Sequence, residues 1–137
     1  MTELKRPLPN ISKESQGFWD AVQQDKLVIQ HCNSCDSNIF YPRRICPHCW
    51  SKDLGWVEAS GKGTIFSVTT TYLGTTAEFS DELPITVAWI DLDEGVRMAS
   101  NIVGCGPEQA KIGDRVEVVF EKANEDFKLP FFKIVEA

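Results

Sequence analysis

The feature that most constrains this chain is HCNSCDSNIFYPRRICPHCW, residues 31–50, where four cysteines fall as C-x2-C, ten residues, C-x2-C. A C-x2-C turn presents two sulfurs from one tight bend, so two such turns lying side by side close a tetrahedron around a metal ion. Cys32, Cys35, Cys46 and Cys49 are the expected ligands. Structural Zn2+ is the expected cofactor, because a four-sulfur cage suits a d10 ion with no geometric preference of its own. Iron in a rubredoxin-like site is the chemical rival, since thiolates select both. Two disulfides would be the alternative use of four cysteines, and they belong to secreted proteins. The N-terminus MTELKRPLPNISKES has neither the apolar core nor the small-residue cleavage site of a secretory signal. No apolar run approaches the ~20 residues that cross a bilayer, so a cytoplasmic protein with no membrane partner is expected.

A module this small has little core, and the metal is expected to supply folding free energy on the order of 10 kcal/mol. KLVIQ (26–30) reads as a strand leading into the first knuckle, and NIFYPRRI (38–45) as the extended return that carries the second. Ahead of them, 11–25 reads as a helix, with Ser12 as N-cap and Ser15 where a capping box would have Glu. Phe18, Trp19 and Val22 form its apolar stripe. SKDLGWVEASGKGT (51–64), polar and with glycines at 55, 61 and 63, reads as a junction.

Beyond the junction the periodicity turns to two. TIFSVTTTY (64–72) places Phe66, Val68, Thr70 and Tyr72 on one face, and PITVAWIDL (84–92) is apolar on both, as in a doubly covered strand. DEG at 93–95 and IGD at 112–114 are turn signals. VRMASNIV (96–103) and RVEVVFEK (115–122) alternate, the latter with Val116, Val118 and Phe120 inward, and LPFFKIV (129–135) closes the set. Five strands, all read as antiparallel, predict a small closed barrel of the OB-fold type, with an SH3-like or immunoglobulin-like sandwich as the rival. The expected fold is therefore mainly β: an N-terminal helical segment over 1–25, a rubredoxin-like zinc ribbon over 26–58 and a five-stranded OB-fold over 59–137.

Few residues offer catalysis. His31 and His48 adjoin the cysteines and read as solvent-facing knuckle residues, since four sulfurs already complete the cage. A closed cage leaves no position for water or substrate, which weighs against metal catalysis there. Cys105, in NIVGCGPEQ, has no histidine near it in sequence to activate it and reads as an unreactive turn cysteine. Asp91, Asp93 and Glu94 surround a hairpin turn, and no carboxylate pair is singled out for acid–base work. The formal charge of −6, from 14 basic and 20 acidic residues, weighs against nucleic acid, where Lys/Arg neutralisation supplies most of the binding. Basic residues nevertheless gather near the knuckles: Arg43, Arg44, Lys52 and Lys62, interleaved with Phe40, Tyr41, Trp50 and Trp56. Such a surface suits a phosphorylated small molecule, such as the nucleotide end of a coenzyme, or the rim of a protein interface. Phe40 and Trp56 have a plainer reading, packing the ribbon onto the barrel.

GFWDAV, LVIQHCNSC, FYPRRICPHC, WVEASGKGTI, ELPITVAWIDLDEGVRMASNIVGC and IGDRVEVVFE follow one another in this order. The order resembles the zinc-ribbon/OB-fold proteins once called domain of unknown function 35, over about residues 15–135. All four metal positions of that family are present as Cys32, Cys35, Cys46 and Cys49. The resemblance implies an accessory subunit in acyl-CoA metabolism that supplies no nucleophile. Its partner would be a thiolase-superfamily catalytic subunit of an acyltransferase complex, with a MaoC-type hydratase or an aldolase as the alternative. It would dock that partner and help to bind or channel the acyl-CoA, through Tyr41, Arg43, Arg44 and Trp50. Two other functions compete: a single-stranded nucleic-acid-binding module, since zinc ribbons and OB-folds both serve that role, and a stand-alone thioester enzyme using Cys105.

Overall fold

The structure is a computed structural model that describes residues 8–73 and 77–135. A short helix α1 (Gln16–Val22) precedes eight strands: β1 (Val28–Cys32), β2 (Ser37–Ile39), β3 (Leu54–Glu58), β4 (Lys62–Thr71), β5 (Ile85–Leu92), β6 (Arg97–Val103), β7 (Arg115–Lys122) and β8 (Lys128–Ile134). A 3-10 helix, Ala77–Glu82, lies between β4 and β5. No helix among the described residues is long and apolar enough to cross a membrane.

β2, β1 and β3 form a small antiparallel sheet with β1 in the middle. β3 lies within the stretch read as a junction. Its five residues are half-buried or exposed, so the strand carries little hydrophobic signal of its own and is defined by its ladder to β1, Val28 opposite Glu58 through Cys32 opposite Leu54. The helix is also shorter than expected. Ser12 and Ser15 tie the chain ahead of it into a turn, each backbone N–H donating to the other's hydroxyl, so the helix begins only after Ser15.

The remaining five strands close a barrel in the order β4-β5-β6-β8-β7, which is the OB-fold arrangement expected. One expectation is corrected here: β6 and β8 run parallel, Ile102 opposite Phe132, because the last strand must enter between β6 and β7 to close the barrel. A second correction concerns β4. Ile65 pairs with Ile90 and Ser67 with Trp89, leaving Phe66 as the extra residue of a bulge. The bulge turns Phe66 outward to 49% exposure, where the Arg97 guanidinium lies 3.5 Å over its ring, while Ile65 is buried and Val68 packs on the core. β5 likewise has only one buried face: Thr86, Ala88, Ile90 and Leu92 point in, and Trp89 is exposed. The 93–95 turn joins β5 to β6 as a hairpin, with Gly95 at φ 89°, a conformation open to glycine without strain.

One core runs through the helix, the ribbon and the barrel. Phe18 and Val22 from α1 and Leu27 and Ile29 from the ribbon are buried with Ile65, Ile90, Met98, Val116 and Phe132 of the barrel. Phe40 packs on this cluster and meets Phe18 edge-on at 5.5 Å, the joining role suggested for it. Gln23 adds a polar tie, accepting from the Lys128 amide at 2.8 Å and donating to its carbonyl at 3.3 Å.

Candidate metal centre and the surface around it

Ahead of the first knuckle, β1 delivers Cys32 at its last position, fully buried. The second knuckle folds back on itself: the Trp50 amide donates to the Cys46 carbonyl and the Cys46 amide to the Ser51 carbonyl, both at 2.9 Å. Trp50 takes φ 68° to close this bend and stands 80% exposed. The knuckles meet across the Ser34 and Ser51 hydroxyls, 2.7 Å apart.

The result is a cluster of four sulfurs, from Cys32, Cys35, Cys46 and Cys49, all within 4.8 Å of one another. The contacts Cys32–Cys49 and Cys35–Cys46 span 3.6 and 3.7 Å, the separation of sulfurs that share a tetrahedral ion rather than a disulfide. Electrostatics of the sulfurs point the same way. Burial pushes the Cys46 thiol up, but the backbone N–H groups of Cys49 and His48 and the neighbouring thiols outweigh it and bring it down to about 6. For Cys49 the Ser51 N–H favours the thiolate, yet burial and the thiols of Cys32, Cys35 and Cys46 leave it pushed up to about 12. A dication is the partner that stabilises thiolates crowded in this way. The donor set fits structural zinc.

Neither histidine belongs to the cluster. His31 is not solvent-facing as expected: its side chain is 19% exposed, with Nδ1 2.7 Å from Asn38 Oδ1 and Nε2 2.9 Å from Asp36 Oδ1, bridging the strands that flank the first knuckle. His48 is exposed, and its backbone N–H donates to Cys46 Sγ at 3.3 Å.

The four residues expected to form one contact surface are divided. Tyr41 accepts from the Ala99 amide at 3.3 Å and lines an apolar cavity of about 490 Å3 with Phe18, Trp19, Phe40 and Phe131. Arg43 and Arg44 line a different cavity, of about 330 Å3. Arg44 is engaged by Glu14, which holds that carboxyl below the usual range. Gln30, 5% exposed, fixes the Arg43 backbone by donating to its carbonyl at 2.8 Å and accepting from its amide at 2.7 Å. Residue spacing gave no sign of Gln30, Lys13 or Glu14 at this site, because Gln30 comes from β1 and the other two from the turn ahead of α1. Trp50 lines neither cavity.

On the barrel, Arg97 pairs with Asp91 at 2.6 Å and Arg115 with both oxygens of Asp93 at 2.8 and 2.9 Å, so the turn carboxylates neutralise the two strand arginines. Burial, and then Asp114, push the Cys105 thiol up.

Comparison with known proteins bears on both halves. Residues 19–55 match "ChsH2, rubredoxin-like zinc ribbon domain", and residues 56–121 match "ChsH2, C-terminal OB-fold domain". A "DUF35 domain-containing scaffold protein" of Methanothermobacter thermautotrophicus is 44% identical over 108 residues, covering 76% of this chain and 78% of that protein. A "Probable enoyl-CoA hydratase alpha subunit" of Thermomonospora curvata is 35% identical over 93% of this chain, which spans only 40% of that relative's length. The "Benzoylsuccinyl-CoA thiolase subunit BbsA" of Thauera aromatica is 26% identical over 64% of this chain and 58% of its own length. Among solved structures, a chain of the "Ltp2-ChsH2(DUF35) aldolase" superposes with TM-score 0.85 and 34% identity, covering 93% of this chain and 98% of that one. With its four-cysteine ribbon joined to an OB-fold barrel, this chain belongs to the DUF35 family of scaffold proteins.

Proposed function

We propose that this chain is a non-catalytic accessory subunit of an acyl-CoA-processing complex of the thiolase or C-acyltransferase type. Zn2+ held by Cys32, Cys35, Cys46 and Cys49 stiffens the ribbon, and the ribbon and barrel together dock the catalytic partner. Tyr41, Arg43, Arg44 and Trp50 supply contacts to that partner or to its acyl-CoA. The observation that carries the accessory-subunit part of this reading is the match to a chain of the "Ltp2-ChsH2(DUF35) aldolase", at 98% coverage of that chain. The choice of a thiolase-type partner rests on the thiolase-subunit name of the Thauera aromatica relative, and an aldolase partner is the reading that the structural match favours.

Two local observations weigh against the other functions. The strand arginines a nucleic-acid groove would use are paired with Asp91 and Asp93. The thiol a thioester enzyme would use is pushed up by burial, away from the thiolate form. A hydratase partner is the second reading of the same scaffold role, favoured by the name of the Thermomonospora curvata relative. Mixing the purified chain with candidate catalytic subunits separates these outcomes. Assembly with, and increased activity of, a thiolase-type subunit is expected; turnover by the chain alone, abolished in Cys105→Ala, would overturn the non-catalytic assignment.

A further inference from the structure

The cavity beside the ribbon carries charge that scaffolding does not require. Lys13, ahead of α1, Arg43 and Arg44, between the knuckles, and Lys52, just past them, all line the same cavity of about 330 Å3. Glu14 is the one carboxylate in that lining, and Arg44 engages it. Four cations against one carboxylate leave +3 in one shallow surface depression, on a chain whose formal charge is −6. Among the described residues, Lys13, Arg43 and Lys52 form no ion pair. Gathering like charges in a concave site costs free energy that a bound anion relieves.

The depression also has fixed walls. Gln30 is buried and holds the Arg43 backbone through both of its amide atoms, so the start of that side chain is fixed before any ligand arrives. Trp56 supplies an aromatic wall: its indole lies against Gly17 on one side, where an added Cβ would meet it at 2.5 Å, and it remains 38% exposed while lining the cavity. Guanidinium forks match phosphate oxygens in pairs, lysines add point charge, and an indole face packs a planar base. An exposed indole beside the cations suits a nucleotide, whose base can pack on it, better than an acidic peptide.

We propose that this cavity binds the phosphate groups of a nucleotide-class ligand, with Lys13, Arg43, Arg44 and Lys52 taking the phosphate oxygens and Trp56 packing the attached base. This deepens the coenzyme part of the proposed function and rests on that reading only for which nucleotide the complex presents.

The test is a titration of the zinc-loaded, isotopically labelled full chain with ADP, inorganic pyrophosphate, adenosine and an acidic peptide, followed by NMR. Saturable ADP binding is expected, moving the Arg43 and Lys52 amides and the Trp56 indole N–H. Pyrophosphate moves the first two, and adenosine binds about tenfold or more weakly than ADP. The double variant Arg43→Gln, Lys52→Gln lowers affinity for both phosphate ligands about tenfold or more with unchanged zinc content, and Trp56→Leu weakens ADP while sparing pyrophosphate. No saturable binding of either phosphate ligand up to ~10 mM would overturn the assignment, since that marks an affinity too weak to be specific. So would wild-type affinity in the double variant, shifts confined to another face, or an acidic peptide that binds more tightly than ADP. Because the titration uses this chain alone, its failure leaves the scaffold reading standing, and failure to capture a partner leaves the titration result standing.

Discussion

Gly17 and Trp56 meet so closely that a Cβ on Gly17 would lie 2.5 Å from Cε2 and Nε1 of the indole. The contact joins α1 to β3, the outer strand of the ribbon sheet. Gly17→Ala is expected to destabilise the chain by about 1 kcal/mol, because crowding outweighs the gain in helix propensity. Urea denaturation measures it, and the penalty should vanish when Trp56 is also replaced by Leu, as a double-mutant cycle would show.

Gln30→Leu removes two hydrogen bonds at once and leaves the Arg43 amide and carbonyl without their partner. A loss of about 2–4 kcal/mol is expected from two bonds at a buried position. Thermal unfolding measures the loss, and faster hydrogen exchange at the Arg43 amide localises it. Gln30→Glu keeps the acceptor and should lose less of the Arg43 amide protection than Gln30→Leu.

Asp93 is held below its ordinary value of 3.8, first by its hydrogen bonds from Arg115 and, against the opposing effect of burial, by the charges of Arg115 and Lys62. A carboxyl depressed in the folded state contributes stability above its unfolded value, and that contribution disappears as pH falls through the folded one. Asp93→Asn should therefore lower the Tm at neutral pH. The gap to wild type should begin to close below pH 3.8 and be gone once Asp93 is protonated in the folded chain. A gap that widened on acidification would contradict the pairing with Arg115.

Zinc removal should act locally. Chelation is expected to release amide protection first over β1, β2 and β3, whose Cys32, Ile39 and Leu54 pack with Cys46, while β4 to β8 keep theirs. Hydrogen exchange with and without chelator reads this directly. Leu27 and Ile29 belong to the shared core, so the barrel should lose some stability as well without unfolding.

Much of this architecture was legible because its signals are local. The four cysteines announce their geometry through spacing, and β7 announces itself through the alternation of Val116, Val118 and Phe120. What escaped depended on partners far along the chain. β3 has no buried residue to mark it, and only its ladder to β1 makes it a strand. The Phe66 bulge reverses the facing of half of β4, which a strict period of two cannot anticipate. The parallel β6–β8 pair follows from barrel closure, a property of the whole set of strands. At the site, Arg43 and Trp50 stood out by residue type, but only the folded ribbon shows that they face different surroundings and that Lys13 and Gln30 join the former.

Affinity capture of the tagged, zinc-loaded chain under native conditions, with mass spectrometry of the recovered complex, decides whether the chain works as a scaffold for a separate catalytic subunit. A stoichiometric complex with a thiolase-type enzyme subunit of acyl-CoA metabolism, weakened by zinc chelation, is expected. Recovery of the chain alone from cells that express such enzymes would contradict the scaffold role.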